Sequence, residues 1–124
     1  MSVLTISVPG ELKGKGRPRF HRASGRTYTP AKTANAETWI RACAIEQVGQ
    51  PAIEGPIELH IEAFIPVPQS WSKKRRAAAL ASELKPTSRP DCDNCIKLFA
   101  DALNKIVWRD DAQIWKVCMS KRFS

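Results

Sequence analysis

Arg89-Pro90-Asp91-Cys92-Asp93-Asn94-Cys95-Ile96-Lys97 opens a stretch that continues through Asp101 and Asn104 to Trp108-Arg109-Asp110-Asp111. Pro90 disfavours helical geometry at Arg89, so the chain arrives extended. The spacing beyond it predicts a helix from about Asp93 to Ile106. At about 100° per residue, Asp93, Lys97, Asp101 and Asn104 gather in one quadrant, while Cys95, Phe99, Ala102, Leu103 and Ile106 gather opposite. The helix therefore has a polar face and a core stripe. Asp91 or Asp93 can cap its start, where negative charge is favoured. Capping accounts for one aspartate, but not for two together with Asn94 and the later Asp110-Asp111 pair. Asp93–Lys97 and Lys97–Asp101 are i,i+4 pairs, worth only about 0.2–0.5 kcal/mol each on an exposed helix. A solvated ion-pair ladder is thus the plain reading of Lys97.

Beyond this helix, a final strand is expected from about Ala112 to Lys121, with Asp110-Asp111 at its opening. In extended chain, neighbours point to opposite faces, so one of these two aspartates is expected to join a site. A strand start packed beside a helix start would bring that carboxylate toward Asp91 and Asp93. Three carboxylates with water make a hard all-oxygen site suited to Mg²⁺ or Mn²⁺. An EF-hand does not fit: counting from Asp91, the fifth, sixth and twelfth positions are Cys95, Ile96 and Ala102. His21 and His60 are isolated, and neither belongs to a nucleophile–histidine pattern.

Upstream, Val3 to Val8 alternates like a half-buried strand and Pro9-Gly10 ends it. A basic loop follows, with Lys13, Lys15, Arg17, Arg19, Arg22 and Arg26 around Gly14 and Gly16; glycine admits close backbone approach and the cations suit phosphates. Thr29 and Pro30 read as N-cap and first residue of a helix from about Ala31 to Val48, closed by Gly49 and Pro51. Trp39, Ile40, Cys43, Ile45 and Val48 would line its buried side. Pro56 to Val67 holds a strand in which Ile57, Leu59, Ile61 and Ala63 alternate with Glu58, His60 and Glu62. Ser70 to Arg76 opens a short basic helix carrying Lys73, Lys74, Arg75 and Arg76, either a DNA contact or a solvated face. Leu84 to Pro90, ending at Arg89-Pro90, reads as a linker. Mixed helices and strands in this order indicate an α+β domain, a small mixed β-sheet packed against helices, spanning residues 1–124 as one unit.

Lys+Arg total 20 against 12 Asp+Glu, a formal charge of +8. That balance favours a polyanion partner, DNA or RNA. Hydrophobic content of 43% argues against a disordered polycation. No segment reads as a signal peptide or a membrane span, so a cytoplasmic location is expected. Cys43, Cys92, Cys95 and Cys118 should then be reduced. Cys92-x-x-Cys95 lacks the second close pair of a structural zinc site, and all four read as small, mostly buried side chains.

The pattern Pro90-Asp91-x-Asp93-Asn94-x-x-Lys97-x-x-x-Asp101-Ala102-Leu103-Asn104, then Trp108-x-Asp110-Asp111-x-Gln113-Ile114, resembles the RusA-type Holliday-junction resolvases of bacteria and prophages. Lys15-Gly16-Arg17-Pro18-Arg19 is similar to their N-terminal segment. The resemblance implies a small homodimer that cuts four-way DNA junctions with Mg²⁺ in recombination and repair. It implies Asp91, Asp93 and Asp111 as the essential carboxylates and metal ligands, Lys97 as the essential lysine, and Asp110 as a less critical neighbour. The sequence departs from that family at Ser124, where members usually continue into a further strand, and its helix near Lys73 to Arg76 looks like an insertion found in prophage-type members. The basic residues, including Arg89, would grip phosphates. Two other readings explain the charge: a non-catalytic basic DNA-binding module, and a metal nuclease acting on other branched DNA.

Overall fold

A computed structural model describes residues 3–14, 19–21, 26–28 and 31–124, with residues 19–21, 26–28 and 31–33 described by their backbone alone. The element order is β1 (Arg19–His21), β2 (Arg26–Tyr28), α1 (Ala31–Val48), β3 (Ile57–Ile65), α2 (Lys73–Leu80), α3 (Cys92–Leu103), a 3₁₀ turn (Asp111–Gln113) and β4 (Ile114–Phe123). The α+β class is thus observed. Among the described residues the pairings fall into two separate sheets, antiparallel β1–β2 and parallel β3–β4. Parallel pairing needs a long crossover, and α2 and α3 both lie in the connection between β3 and β4.

Alternation along β3 has the expected outcome. Ile61 and Ala63 are buried, while Glu58, His60, Glu62 and Phe64 face out. Register partners share a face: Ile61 lies beside Met119, Ala63 beside Lys121 and Ile65 beside Phe123. The opposite face carries Glu58 beside Lys116 and Phe64 beside Arg122. The core joins Ala36, Ile40 and Ala44 of α1 to Leu98, Ala102 and Leu103 of α3, with Ile106, Val107 and Trp108 sealing one end. Small residues on both helices permit close approach, and the Arg41 Nε donates to the Ala102 carbonyl across that contact at 3.3 Å.

Several expectations need correction. Residues 3–9 form no strand. The Gln47 side-chain amide occupies the backbone groups a strand partner would take: Oε1 accepts from Ser7 N at 2.8 Å and Nε2 donates to Ser7 O at 2.7 Å. Trp39 is 50% exposed and Ile45 is exposed too, so the buried side of α1 is narrower than its apolar content suggests. Trp39 instead lies along the surface, its Nε1 donating to Pro9 O at 2.7 Å. The helix α3 stops at Leu103 rather than Ile106, because Asn104 is its C-cap and Lys105 turns left-handed at φ +67°. The basic loop contains the β1–β2 pair. Thr29 and Pro30 lie outside the described residues.

Candidate active site

The helix α3 begins where the sequence places it, and Asp91 is its N-cap in extended geometry. Yet its carboxylate makes no capping hydrogen bond. An aspartate at an N-cap ordinarily spends one oxygen on the first-turn amides; here that oxygen is uncommitted. Asp93 follows in the first turn, and Asp91, Asp93 and Asn94 are all exposed. Lys97 is exposed one turn further on, and among the described residues it makes no ion pair with Asp93. The Asp93–Lys97 rung of the expected ladder is thus not built there. Asp101 is half-buried.

Two other segments converge on this end of α3. Lys121 of β4 donates from Nζ to Ser88 O at 2.9 Å and to Pro90 O at 3.0 Å, fastening the residues that precede Asp91 to the sheet. Gly14 packs against the same place, since a Cβ there would stand 3.0 Å from both Pro90 Cβ and Asn94 Cβ. Its lack of a side chain lets the basic N-terminal segment approach the helix start. A cleft of about 330 Å³ results, lined by Glu11, Lys13, Gly14, Arg89 and Pro90. Lys13 and Arg89, both expected to meet phosphate, therefore face one hollow beside Asp91. Lys15, Arg17 and Arg22 lie outside the described residues, and Arg19 and Arg26 are described by backbone alone. Lys73, Lys74 and Arg75 are exposed on α2, with Arg76 half-buried.

Asp111 sits elsewhere. Trp108 is 2% exposed, bridges to Asn104 at the C-terminal end of α3, and donates from Nε1 to Asp111 Oδ1 at 2.8 Å. Trp108 thus ties Asp111 to the segment that follows α3, while Asp91 and Asp93 stand at the start of that helix. Among the described residues no three His, Cys, Asp or Glu side chains are close enough to hold a metal ion. The three carboxylates expected to converge thus form no metal-sized cluster among the described residues of one chain.

Strand alternation is also not what separates Asp110 from Asp111. The two open a 3₁₀ turn, with β4 starting only at Ile114. Asp110 caps that turn, accepting from Ala112 N at 2.8 Å, while Asp111 is held by the indole. Gln113 completes a capping box. Its Oε1 accepts from Arg109 N and Asp110 N at 2.9 and 2.8 Å, and its Nε2 donates to Ile53 O and Gly55 O, each at 2.8 Å. Sequence reasoning left Gln113 and Lys121 without roles. Gln113 stood inside the quoted motif, whereas nothing near Lys121 in the sequence marks it.

Cys43 and Cys95 are buried as expected, but Cys92 is half-buried and Cys118 exposed. Burial pushes the Cys95 thiol up to about 11, and the neighbouring Cys92 adds to the shift. Cys95 thus contributes to the packed side of α3, while Cys92 is half-buried beside it.

Residues 9–124 match the family model of the endodeoxyribonuclease RusA. The chain belongs to the RusA endodeoxyribonuclease family. It is also 32% identical over 128 residues to the uncharacterized protein YqaN of Bacillus subtilis strain 168, an alignment covering 100% of this chain and 90% of that one. RusA-family membership assigns the activity class, a DNA endonuclease of the kind that resolves Holliday junctions. Among the described residues no helix is long and apolar enough to cross a membrane.

Proposed function

We propose that the chain, as one nuclease domain, is a Mg²⁺-dependent endonuclease that resolves four-way DNA junctions by paired hydrolytic cuts as a homodimer. The observation that carries this reading is the uncommitted Asp91 carboxylate at the start of α3, beside a cleft lined by Lys13 and Arg89, in a RusA-family chain. Asp91, Asp93 and Asp111 would hold the metal. They fit Mg²⁺ as hard oxygen donors, and Asp111 keeps one oxygen clear of its bond to Trp108. When bound, such an ion activates water and offsets charge on the phosphoryl group.

Among the described residues of one chain the three carboxylates form no metal-sized cluster, and this supports a set completed between two copies. A two-fold pairing would set Asp111 of each chain against Asp91 and Asp93 of the other, yielding two equivalent sites for two strands. Trp115 and Val117, two apart in β4 and next to the turn that carries Asp111, are exposed apolar side chains, which agrees with a partner surface at this end of the strand. Lys97 would lend positive charge beside the scissile phosphate. Lys13 and Arg89 would hold the phosphates flanking it, contacts that carry little sequence information.

Cleavage of a synthetic four-way junction, assayed with Mg²⁺ and with chelator, tests the reading. The parent is expected to cut only with metal, and Asp91→Asn to bind the junction yet cut at least about 100-fold more slowly. Parental cleavage by Asp91→Asn would remove Asp91 from the site.

A further inference from the structure

The short basic helix α2 has an explicit mounting. Ser72 caps it, its Oγ accepting from Arg75 N at 3.2 Å. Just before the cap, the Trp71 ring meets Phe123 edge-on, with centroids 5.3 Å apart, and the Arg75 guanidinium lies 3.7 Å above the same indole. Ala79, one turn beyond Arg75, is fully buried. The face carrying Arg75 and Ala79 is therefore the attached one. Lys73, Lys74 and Ala77 are exposed on the other side, and among the described residues neither lysine has a carboxylate partner. Four consecutive cations, alike in the sequence, are thus unequal in the fold: Arg75 belongs to the mounting, whereas Lys73 and Lys74 are presented to solvent.

Where the helix is mounted gives it a use. Phe123 holds Trp71, and Lys121 holds Ser88 and Pro90 ahead of Asp91. Lys121 and Phe123 are two apart in one strand, so they share a face about 7 Å apart. Beside Phe123, the end of β3 is tied down by the Ser124 N bond to Ile65 O at 3.0 Å. The base of α2 and the approach to α3 are thus fastened to adjacent positions of one sheet face.

We infer that α2 is a fixed arm gripping the phosphates of the duplex that enters beside the start of α3, with Lys73 and Lys74 as its contacts and Trp71–Arg75 as its mount. The inference rests on the branched-DNA reading above. Its role is to hold and orient DNA, separate from the bond cleavage assigned to the aspartates. An unmounted, eight-residue helix would be marginal in water and would dissipate the two charges over many orientations.

Binding of the full chain to a synthetic four-way junction, followed by fluorescence anisotropy in chelator across a salt series, tests this. For Lys73→Ala with Lys74→Ala, loss of two phosphate contacts should reduce the slope of log affinity against log salt by about 1.8 and weaken binding about tenfold near physiological salt. Lys116→Ala with Arg122→Ala removes the same charge from the opposite sheet face and should leave the slope near the parental value. Trp71→Ala keeps every charge, and should weaken binding while a cooperative thermal transition shows the rest of the domain still folded. A parental slope in the Lys73/Lys74 variant, or an equal loss in the Lys116/Arg122 variant, overturns the arm while the junction reading stands. A parent that binds no branched DNA overturns both.

Discussion

Lys121 is one of 20 basic residues, and in the sequence it is simply the end of an expected strand. Its ammonium nevertheless donates to two carbonyls, one of them 31 residues away, directly ahead of Asp91. Lys121→Met keeps most of the aliphatic stem and removes both bonds. Hydrogen bonds from a charged donor contribute about 1.5–3 kcal/mol when well shielded, and the partial exposure here brings the expected loss to about 1–2 kcal/mol. Urea denaturation should show that loss, with a larger fall in junction cleavage than in junction binding. Asp91 and Asp93 were legible as a helix start because capping, proline restriction and helical spacing act within a few residues. Lys121 was not, since a bond across 31 residues leaves no local pattern.

Among the elements, the 3₁₀ turn shows best what the motif Trp108-x-Asp110-Asp111-x-Gln113 is for. Trp108 fills the end of the core and points its N–H at Asp111, Asp110 caps the turn, and Gln113 ties it to the segment ahead of β3. Gln113→Ala removes four hydrogen bonds to backbone groups. At about 0.5–1.5 kcal/mol each, with partial replacement by water, the expected cost is about 2–3 kcal/mol. Thermal unfolding of the variant should show it, and cleavage should drop because the turn carries Asp111. Much of α3 was legible: of its expected core stripe Cys95, Ala102 and Leu103 are buried and Phe99 half-buried, Leu98 joins them, and the opposite face holds Asp93 and Lys97. Two ends were misread for one reason. Period and alternation describe the interior of an element, whereas Asn104–Lys105 and Asp110–Gln113 are decided by caps and turns.

Across the molecule, a set of carboxylates completed by two copies has a distinctive consequence. Asp91→Asn and Asp111→Asn should each be inactive alone. Mixed and allowed to exchange, they should form heterodimers with one intact site and one doubly altered site. With random pairing, nicking should recover to about a quarter of the parental rate. A site contained within each chain predicts no recovery, and gel analysis of nicked junctions after mixing distinguishes the two.

Residue chemistry and short-range period were enough to establish the α+β class, the start of α3, the faces of β3 and α3, and the acidic and basic residues worth testing. These are consequences of interactions that span a turn or a few strand residues. Whether the three carboxylates meet in one chain, which cations of α2 are presented, and which lysine fastens the approach to Asp91 came from packing. Each depends on how β4 lies against α3 and on contacts between residues far apart in the chain, for which local spacing carries no record. The opening acidic cluster is thus continuous in the sequence but forms no metal-sized cluster among the described residues of one folded chain: Asp91 and Asp93 stand at the start of a helix, and Asp111 is held by Trp108 of the segment that follows it.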